Sequence, residues 1–244
     1  MVQPKEEISN YWNQRSKGFA RVRQEELESP MAERWLAEIR RNISLDKSIK
    51  ILDIGTGTGF FSILLSRLGH EIIGVDFSKE MINEAKQLSI IYNQDISLYI
   101  MDAQNLDFED HTFDLVISRN LIWNLTNPKK AYIEWIRVLK KGGILLNFDG
   151  EYTKEVYEQA SPTLPKEHVH NYVEQTLLDQ LNRINTTLPL KNENRPLWDV
   201  TILNELHCKD IEIDEDVSKR IYLEKNHLYN PTPMFSIKAK KSEN

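Results

Sequence analysis

Apolar positions repeat at two different spacings along the 244-residue chain, and the spacing changes where the elements change. Over residues 4–42, Ile8, Tyr11, Trp12 and Phe19, then Met31, Trp35, Leu36 and Ile39, recur at three- and four-residue steps on either side of Ser29-Pro30, predicting two helices. From residue 49 the pattern shortens to apolar runs. The first two, 49–54 and 71–75, flank a glycine turn and a helical stripe of Phe60, Ile63, Leu64 and Leu68, a strand-helix-strand unit. Ser78 is placed to cap a helix through residue 88, and β-rich runs follow at 96–101 and 113–118. Asn127 and Pro128 suit the start of a helix bearing Ala131, Trp135, Ile136 and Leu139, which Gly142-Gly143 should end before a fifth strand over 144–149. Strands in such alternation with helices predict a mostly parallel sheet covered on both faces.

The alternation breaks over 152–195, a polar stretch with Pro162, Pro165 and Pro189 around one helical segment, 172–184. It reads as an insertion. A helix over 196–208, an acidic strand over 211–217 and a last strand over 234–239 follow, with the tract from Asp210 to Asp216 expected as a solvated edge. The expected fold is α/β: a Rossmann-like, doubly wound, seven-stranded, mostly parallel sheet with helices on both faces, an N-terminal helical lid and an insertion after strand five. The expected divisions are a helical cap (1–48), a ligand-binding core (49–150), a helical insertion (151–195) and a C-terminal helix with antiparallel strands (196–244).

Composition narrows the partners. With 40% aliphatic and aromatic residues and five tryptophans the chain is too apolar to be disordered. A formal charge of −6 and no basic cluster argue against duplex DNA or an anionic membrane. A lone cysteine, Cys208, read as a plain helix residue, is compatible with a reducing compartment. MVQPKEEISNYWNQ carries no secretory signal pattern, and no apolar run is long enough to span a bilayer, so a cytoplasmic protein is expected, monomeric or homodimeric.

The chemistry starts at DIGTGTGFF, residues 53–61. A dinucleotide loop needs glycine where Phe60 stands, and a triphosphate loop needs a Gly-Lys-Ser/Thr ending that is missing. What remains is Asp53 before a loop with glycine at every second position, and Asp76 at the end of the next strand. An acid at that point can accept both hydrogen bonds of a ribose diol, and one before the loop suits an ammonium better than a pyrophosphate. The expected ligand is a nucleoside with a cationic tail.

With these residues the chain resembles the class I S-adenosylmethionine-dependent methyltransferases. DIGTGTG (53–59), VDFSKEMI (75–82) and MDAQNLDF (101–108) are similar to three cofactor-binding segments of the family. FDLVISRNLIWNL (113–125) and WIRVLKKGGILLNFD (135–149) follow its fourth- and fifth-strand patterns. The resemblance implies S-adenosyl-L-methionine as cofactor and S-adenosyl-L-homocysteine as product. It implies that Asp53, Gly55, Thr56, Gly57 and Gly59 hold the methionine part, Asp76 the ribose, and Phe77 or Met81 a face of the adenine. Asp102, with Ala103 and Gln104, would take the adenine amino group, and Arg119 the cofactor carboxylate or a substrate anion. YWNQRS (11–16) resembles the closing N-terminal helix of the ubiquinone-biosynthesis-like branch, which makes Tyr11, Trp12 and Arg15 lid candidates; Tyr11 and Trp12 anchoring an ordinary amphipathic helix is the other reading.

The acceptor is less legible. Phe19, Asn120, Trp123 and Tyr152 join Trp12 and Arg15 as candidates for its pocket, Trp123 as an aromatic wall. Should the acceptor need a general base, Asp149, His168 and His170 are the candidates, although Asp149 equally suits a capping role. His168 and His170 lack an evident third ligand, so no metal is expected. SRNLIW lacks the prolines of the motif with which nucleic-acid amino methyltransferases grip a flipped base, which argues against a DNA target. Three readings stay open: a small-molecule methyltransferase, a protein or RNA methyltransferase of the same fold, and a non-catalytic S-adenosylmethionine-binding protein.

Overall fold

In a computed structural model, which describes residues 4–159, 164–165, 167–168 and 173–243, the N-terminal stripe forms helices α1 (Pro4–Leu27) and α2 (Met31–Arg40) on either side of Ser29-Pro30. β1 (Lys50–Ile54), α3 (Phe60–Ser66), β2 (Glu71–Asp76), α4 (Lys79–Ile91) and β3 (Ser97–Ile100) build the first half of the sheet. β4 (Phe113–Arg119), α5 (Pro128–Val138) and β5 (Leu139–Gly150) build the second. After β5 come a 3-10 turn at Tyr152–Lys154, α6 (Gln175–Thr187), α7 (Leu197–Glu205), β6 (Lys209–Asp214), α8 (Val217–Ile221) and β7 (Met234–Lys240).

The seven strands lie in the order β3-β2-β1-β4-β5-β7-β6. Pairing is parallel from β3 to β5, and β7 enters antiparallel to both β5 and β6. The acidic strand β6 therefore occupies an edge, where its charges discourage pairing with other chains. Alternation along the central strands sends Ile51, Leu115, Ile117, Leu146 and Phe148 to one face, under Trp35 and Phe61. Leu52, Val116 and Leu145 go to the other, under Trp135 and Leu203. Both faces are dry, which explains the continuous apolar runs.

Two caps act as expected. The Ser78 hydroxyl accepts from the Met81 amide at 3.1 Å, and Asn127 Oδ1 accepts from the Lys130 amide at 3.0 Å with Pro128 opening α5. The glycine pair behaves differently from expectation. α5 ends at Val138 and β5 begins at once, so Gly142-Gly143 lies inside the strand. The cause is a register shift: Phe113 pairs with Leu139 but Leu115 with Ile144, so residues 140–143 loop out, with Gly142 at φ +73°. Cys208 likewise follows α7 as a buried residue rather than lying within a helix.

The sheet order reverses between β1 and β4. Their carboxyl ends diverge there, and the glycine turn after β1 and the Arg119-Asn120 step after β4 face one crevice.

Candidate active site

That crevice opens into a cavity of about 950 Å³. This is room for a nucleoside-sized ligand together with a second small molecule. Each expected cofactor position except Gly59 lines it, from Tyr11 of α1 through the glycine turn to Asp102-Gln104 and Arg119. Every expected acceptor position lines it too: Trp12, Arg15, Phe19, Asn120, Trp123 and Tyr152.

The turn is built around Asp53. Its Oδ2 accepts from the Thr56 hydroxyl (2.7 Å), the Ser62 hydroxyl (2.7 Å) and the Ser62 amide (3.0 Å), tying the loop to the start of α3. All three bonds fall on one oxygen, so Oδ1 is left to a ligand. Burial raises the Asp53 pKa, with the Thr56 and Ser62 bonds opposing it. Gly57 sits at φ +55° with open space where a side chain would stand, and its amide donates to Asp76 Oδ2 at 2.9 Å. Gly59, at φ +89°, is the residue before α3, and Phe60 opens that helix as a core residue.

Asp76 Oδ1 accepts from the Ser78 amide at 2.8 Å, so both oxygens are oriented and both keep lone pairs for further donors. Burial pushes its pKa up to about 6, against the Ser78 and Gly57 amides. Phe77 is exposed and Met81 buried, both on the cavity. Asp102 Oδ1 accepts from the Gln104 amide (2.9 Å) and side chain (3.0 Å), and Oδ2 from Lys5 Nζ (2.6 Å). Burial raises its pKa, but Lys5 and Gln104 outweigh that and hold it low. Three residues lining this space also carry a buried polar atom without a hydrogen-bond partner among the described residues: Thr58 Oγ1, Asn124 Oδ1 and Arg15 Nε. A cradle with open space at Gly57, two oriented carboxylates and unsatisfied polar atoms fits a ribonucleoside bearing an ammonium and a carboxylate.

The opposite wall is aromatic. Trp12 lies edge-on to Tyr11 (5.1 Å), Phe19 (5.6 Å) and Trp123 (6.4 Å), and Trp123 is 5.4 Å from Tyr152. Trp123 Nε1 donates to the Asn120 carbonyl at 2.9 Å. The Tyr152 hydroxyl donates to Asn120 Oδ1 (3.1 Å) and accepts from Asn230 Nδ2 (2.6 Å). Burial holds that phenol protonated, with its pKa raised well above the ordinary value. Asn120 adopts φ +59°, a left-handed conformation at the end of β4.

Two expectations change here. Asp149 does not face the cavity: it is fully buried, ion-paired to Arg195 Nη1 at 2.9 Å, and accepts from the Trp123 and Gly150 amides. Its role is to anchor the turn carrying Trp123, not to accept a substrate proton. Arg119 is spoken for: its guanidinium holds Glu26 in a two-pronged pair (2.9 and 3.1 Å) and the Tyr222 hydroxyl at 3.2 Å. His168 lines the cavity, with Nε2 2.7 Å from the Tyr229 carbonyl, and burial lowers its pKa. His170 lies outside the described residues.

Several site residues had no local signal. Lys5 and Asn13 tie α1 across the crevice, Asn13 Oδ1 accepting from the Ser78 hydroxyl at 2.7 Å. Glu26 lies on an unremarkable helical stretch. Tyr222, Leu228, Tyr229 and Asn230, between α8 and β7, also line the cavity, and the sequence reading assigned them no role.

The family described as methyltransferase domain matches residues 52–147. Over 134 residues the chain is 32% identical to demethylmenaquinone methyltransferase of Staphylococcus aureus (strain MRSA252), a match that spans about half of each protein: 54% of this chain and 52% of that one. A putative S-adenosyl-L-methionine-dependent methyltransferase from Methanococcus maripaludis superposes with a TM-score of 0.62 at 20% identity, covering 95% of this chain and 94% of the other. Haemonchus contortus phosphoethanolamine N-methyltransferase 2, in complex with S-adenosyl-L-methionine, superposes at 0.59 and 19% identity over 85% of this chain and 52% of that one. At these identities the two structures are a likeness of fold.

Proposed function

We propose, from the premise that residues 52–147 are a class I S-adenosylmethionine-dependent methyltransferase domain, that the chain methylates a small molecule with a flat or apolar body. The observation that carries this is the single cavity with two unlike walls, a polar cofactor cradle facing an aromatic one. A cavity walled by aromatic rings suits a small flat acceptor. The relative named demethylmenaquinone methyltransferase, matched over about half its length, supports a small-molecule acceptor.

The cofactor, S-adenosyl-L-methionine, supplies a methyl group on a sulfonium whose leaving group is a neutral thioether. The residues that would hold it are Asp76 for the ribose, Asp102 for the adenine amino group and Asp53 Oδ1 for the ammonium. Arg15 takes the carboxylate, because it makes no ion pair among the described residues while the fork of Arg119 is occupied by Glu26. Lys5 must yield Asp102 Oδ2 when the adenine enters, so the first turn of α1 moves with cofactor binding. Closure of α1 through Asn13 and Ser78 then makes it a lid.

In an in-line displacement the protein gains most by aligning the nucleophile and excluding water. Trp12, Trp123 and Tyr152 do both, with the Tyr152 hydroxyl fixed between Asn120 and Asn230 as a positioning group rather than a base. If the acceptor loses a proton, His168, which lines the cavity, is a candidate to take it. Its Nε2 lies 2.7 Å from the Tyr229 carbonyl, which orients the ring. The test uses S-adenosylmethionine labelled in the methyl group, incubated with a bacterial extract separated into small molecules, protein and RNA. Label entering the small-molecule fraction is the expected result. Label in protein or RNA overturns the acceptor class, and label in no fraction, with cofactor binding intact, favours a binding-only protein.

A further inference from the structure

Below the aromatic wall, the second half of α1 and the 222–232 segment enclose a lobe of the cavity whose charges do not balance. Arg119 and Arg23 share one carboxylate, Glu26, which is 1% exposed. Arg119 uses three bonds on Glu26 and Tyr222, whereas the ion-pair partner of Arg23 among the described residues is Glu26 alone, at 2.5 Å. Burial and the neighbouring Arg119 charge lower the Arg23 pKa, with Glu26 opposing them. Burial would raise the Glu26 pKa, but the two arginines hold it down. Glu25, also on the cavity, is engaged by Arg21 and His227. Among the described residues one buried cation is thus left without a full counter-charge, and Arg119 Nε has no hydrogen-bond partner.

Arg23 is also shaped for recognition. Its guanidinium stacks 4.6 Å over the Phe19 ring, whose far edge meets Trp12, so the charged group adjoins the aromatic wall directly. Stacking holds the fork against the ring, and Glu26 is its one ion-pair partner among the described residues, an arrangement that suits a further carboxylate or phosphate.

We propose that the Arg23-Arg119-Glu26 cluster is an oxyanion subsite for the methyl acceptor, which therefore carries a carboxylate or phosphate beside a flat apolar body. This rests on the methyltransferase reading of the same cavity and names the class of its second substrate. Arg23 is the specificity-determining residue; Glu26 holds the cluster together and keeps the site from binding anions indiscriminately.

The experiment is calorimetric titration of the full chain, first saturated with S-adenosylhomocysteine so that the cofactor's own carboxylate fills its subsite. Four probes are compared: benzoate against benzamide, and phenyl phosphate against phenol. At least one anion should bind tenfold or more tightly than its neutral counterpart, and the stronger of the two identifies the acid group. Arg23→Gln should abolish that preference while changing S-adenosylhomocysteine affinity less than twofold. Arg23→Lys, which keeps the charge, should retain part of it. Equal affinity for anions and neutral probes, no anion binding, or an unchanged preference in Arg23→Gln would overturn the proposal. So would an Arg23→Gln protein that loses S-adenosylhomocysteine instead, which would place Arg23 at the cofactor. Failure of the wild-type chain to bind S-adenosylhomocysteine would contradict the methyltransferase reading itself and is seen in the first step.

Discussion

The two walls of the cavity are made in opposite ways. The cofactor wall comes mostly from one continuous stretch, residues 53–104, in which each side chain is placed by the end of a parallel strand. The acceptor wall is assembled from α1, the turn after β4, the segment after β5 and residues 222–232, which meet only in the folded chain. A wall built from strand ends inherits its geometry from the sheet and tolerates little change. A wall built from helices and turns on top of the sheet can vary without disturbing it, which is where a shared scaffold acquires different substrates.

The largest expected effect falls on neither wall but on what joins them. Arg195 pairs with both Asp149, which holds the Trp123 amide, and Asp199, all three buried. Arg195→Met leaves two buried carboxylates without a cation and should cost about 3–5 kcal/mol in urea unfolding. A loss below about 1 kcal/mol would mean that the network is not anchoring the turn. Next comes the cofactor wall. Asp76→Ala should weaken S-adenosylhomocysteine binding by roughly 1.5–3 kcal/mol, the scale of hydrogen bonds to a charged group, measured by calorimetry, with acceptor KM little changed. The same carboxylate sets a pH limit. Because the free Asp76 protonates at about 6 and only the ionised form offers all its lone pairs to the ribose, cofactor affinity should be level above pH 6 and fall below it. An affinity that rises on acidification would contradict the assignment. Smallest is Trp12→Ala, which loosens the aromatic wall by removing three edge-on ring contacts within the protein. It should raise acceptor KM several-fold while leaving that of the cofactor within twofold; the reverse split would exchange the roles of the walls.

The same contrast explains what could be read in advance. Strand ends and caps are local: an apolar run, then Gly55-Gly57-Gly59 or Ser78, carries its geometry in a few neighbouring residues. The positions expected to hold the cofactor accordingly line one cavity, Gly59 excepted, and Phe60 stands where a dinucleotide loop would need glycine. Gly142-Gly143 was misread because a helix stop and a strand bulge both use glycine at positive φ, and only the pairing of β4 with β5 distinguishes them. Arg119 and Asp149 were placed at the correct strand ends, but their side chains answer to partners on distant segments, Glu26 on α1 and Arg195 before α7. No local pattern announces a partner 93 or 46 residues away. The 222–232 wall was illegible for the same reason, since NHLYNPTP encodes turns and says nothing of what the turns enclose.

The measurement that tests the account most directly is a crystal structure with S-adenosylhomocysteine bound. The account predicts the ribose hydroxyls on Asp76, the adenine amino group on Asp102 in place of Lys5, and the sulfur facing Trp12, Trp123 and Tyr152 across the remaining cavity. A sulfur pointing to open solvent, or a nucleoside bound away from Asp76 and Asp102, would contradict it.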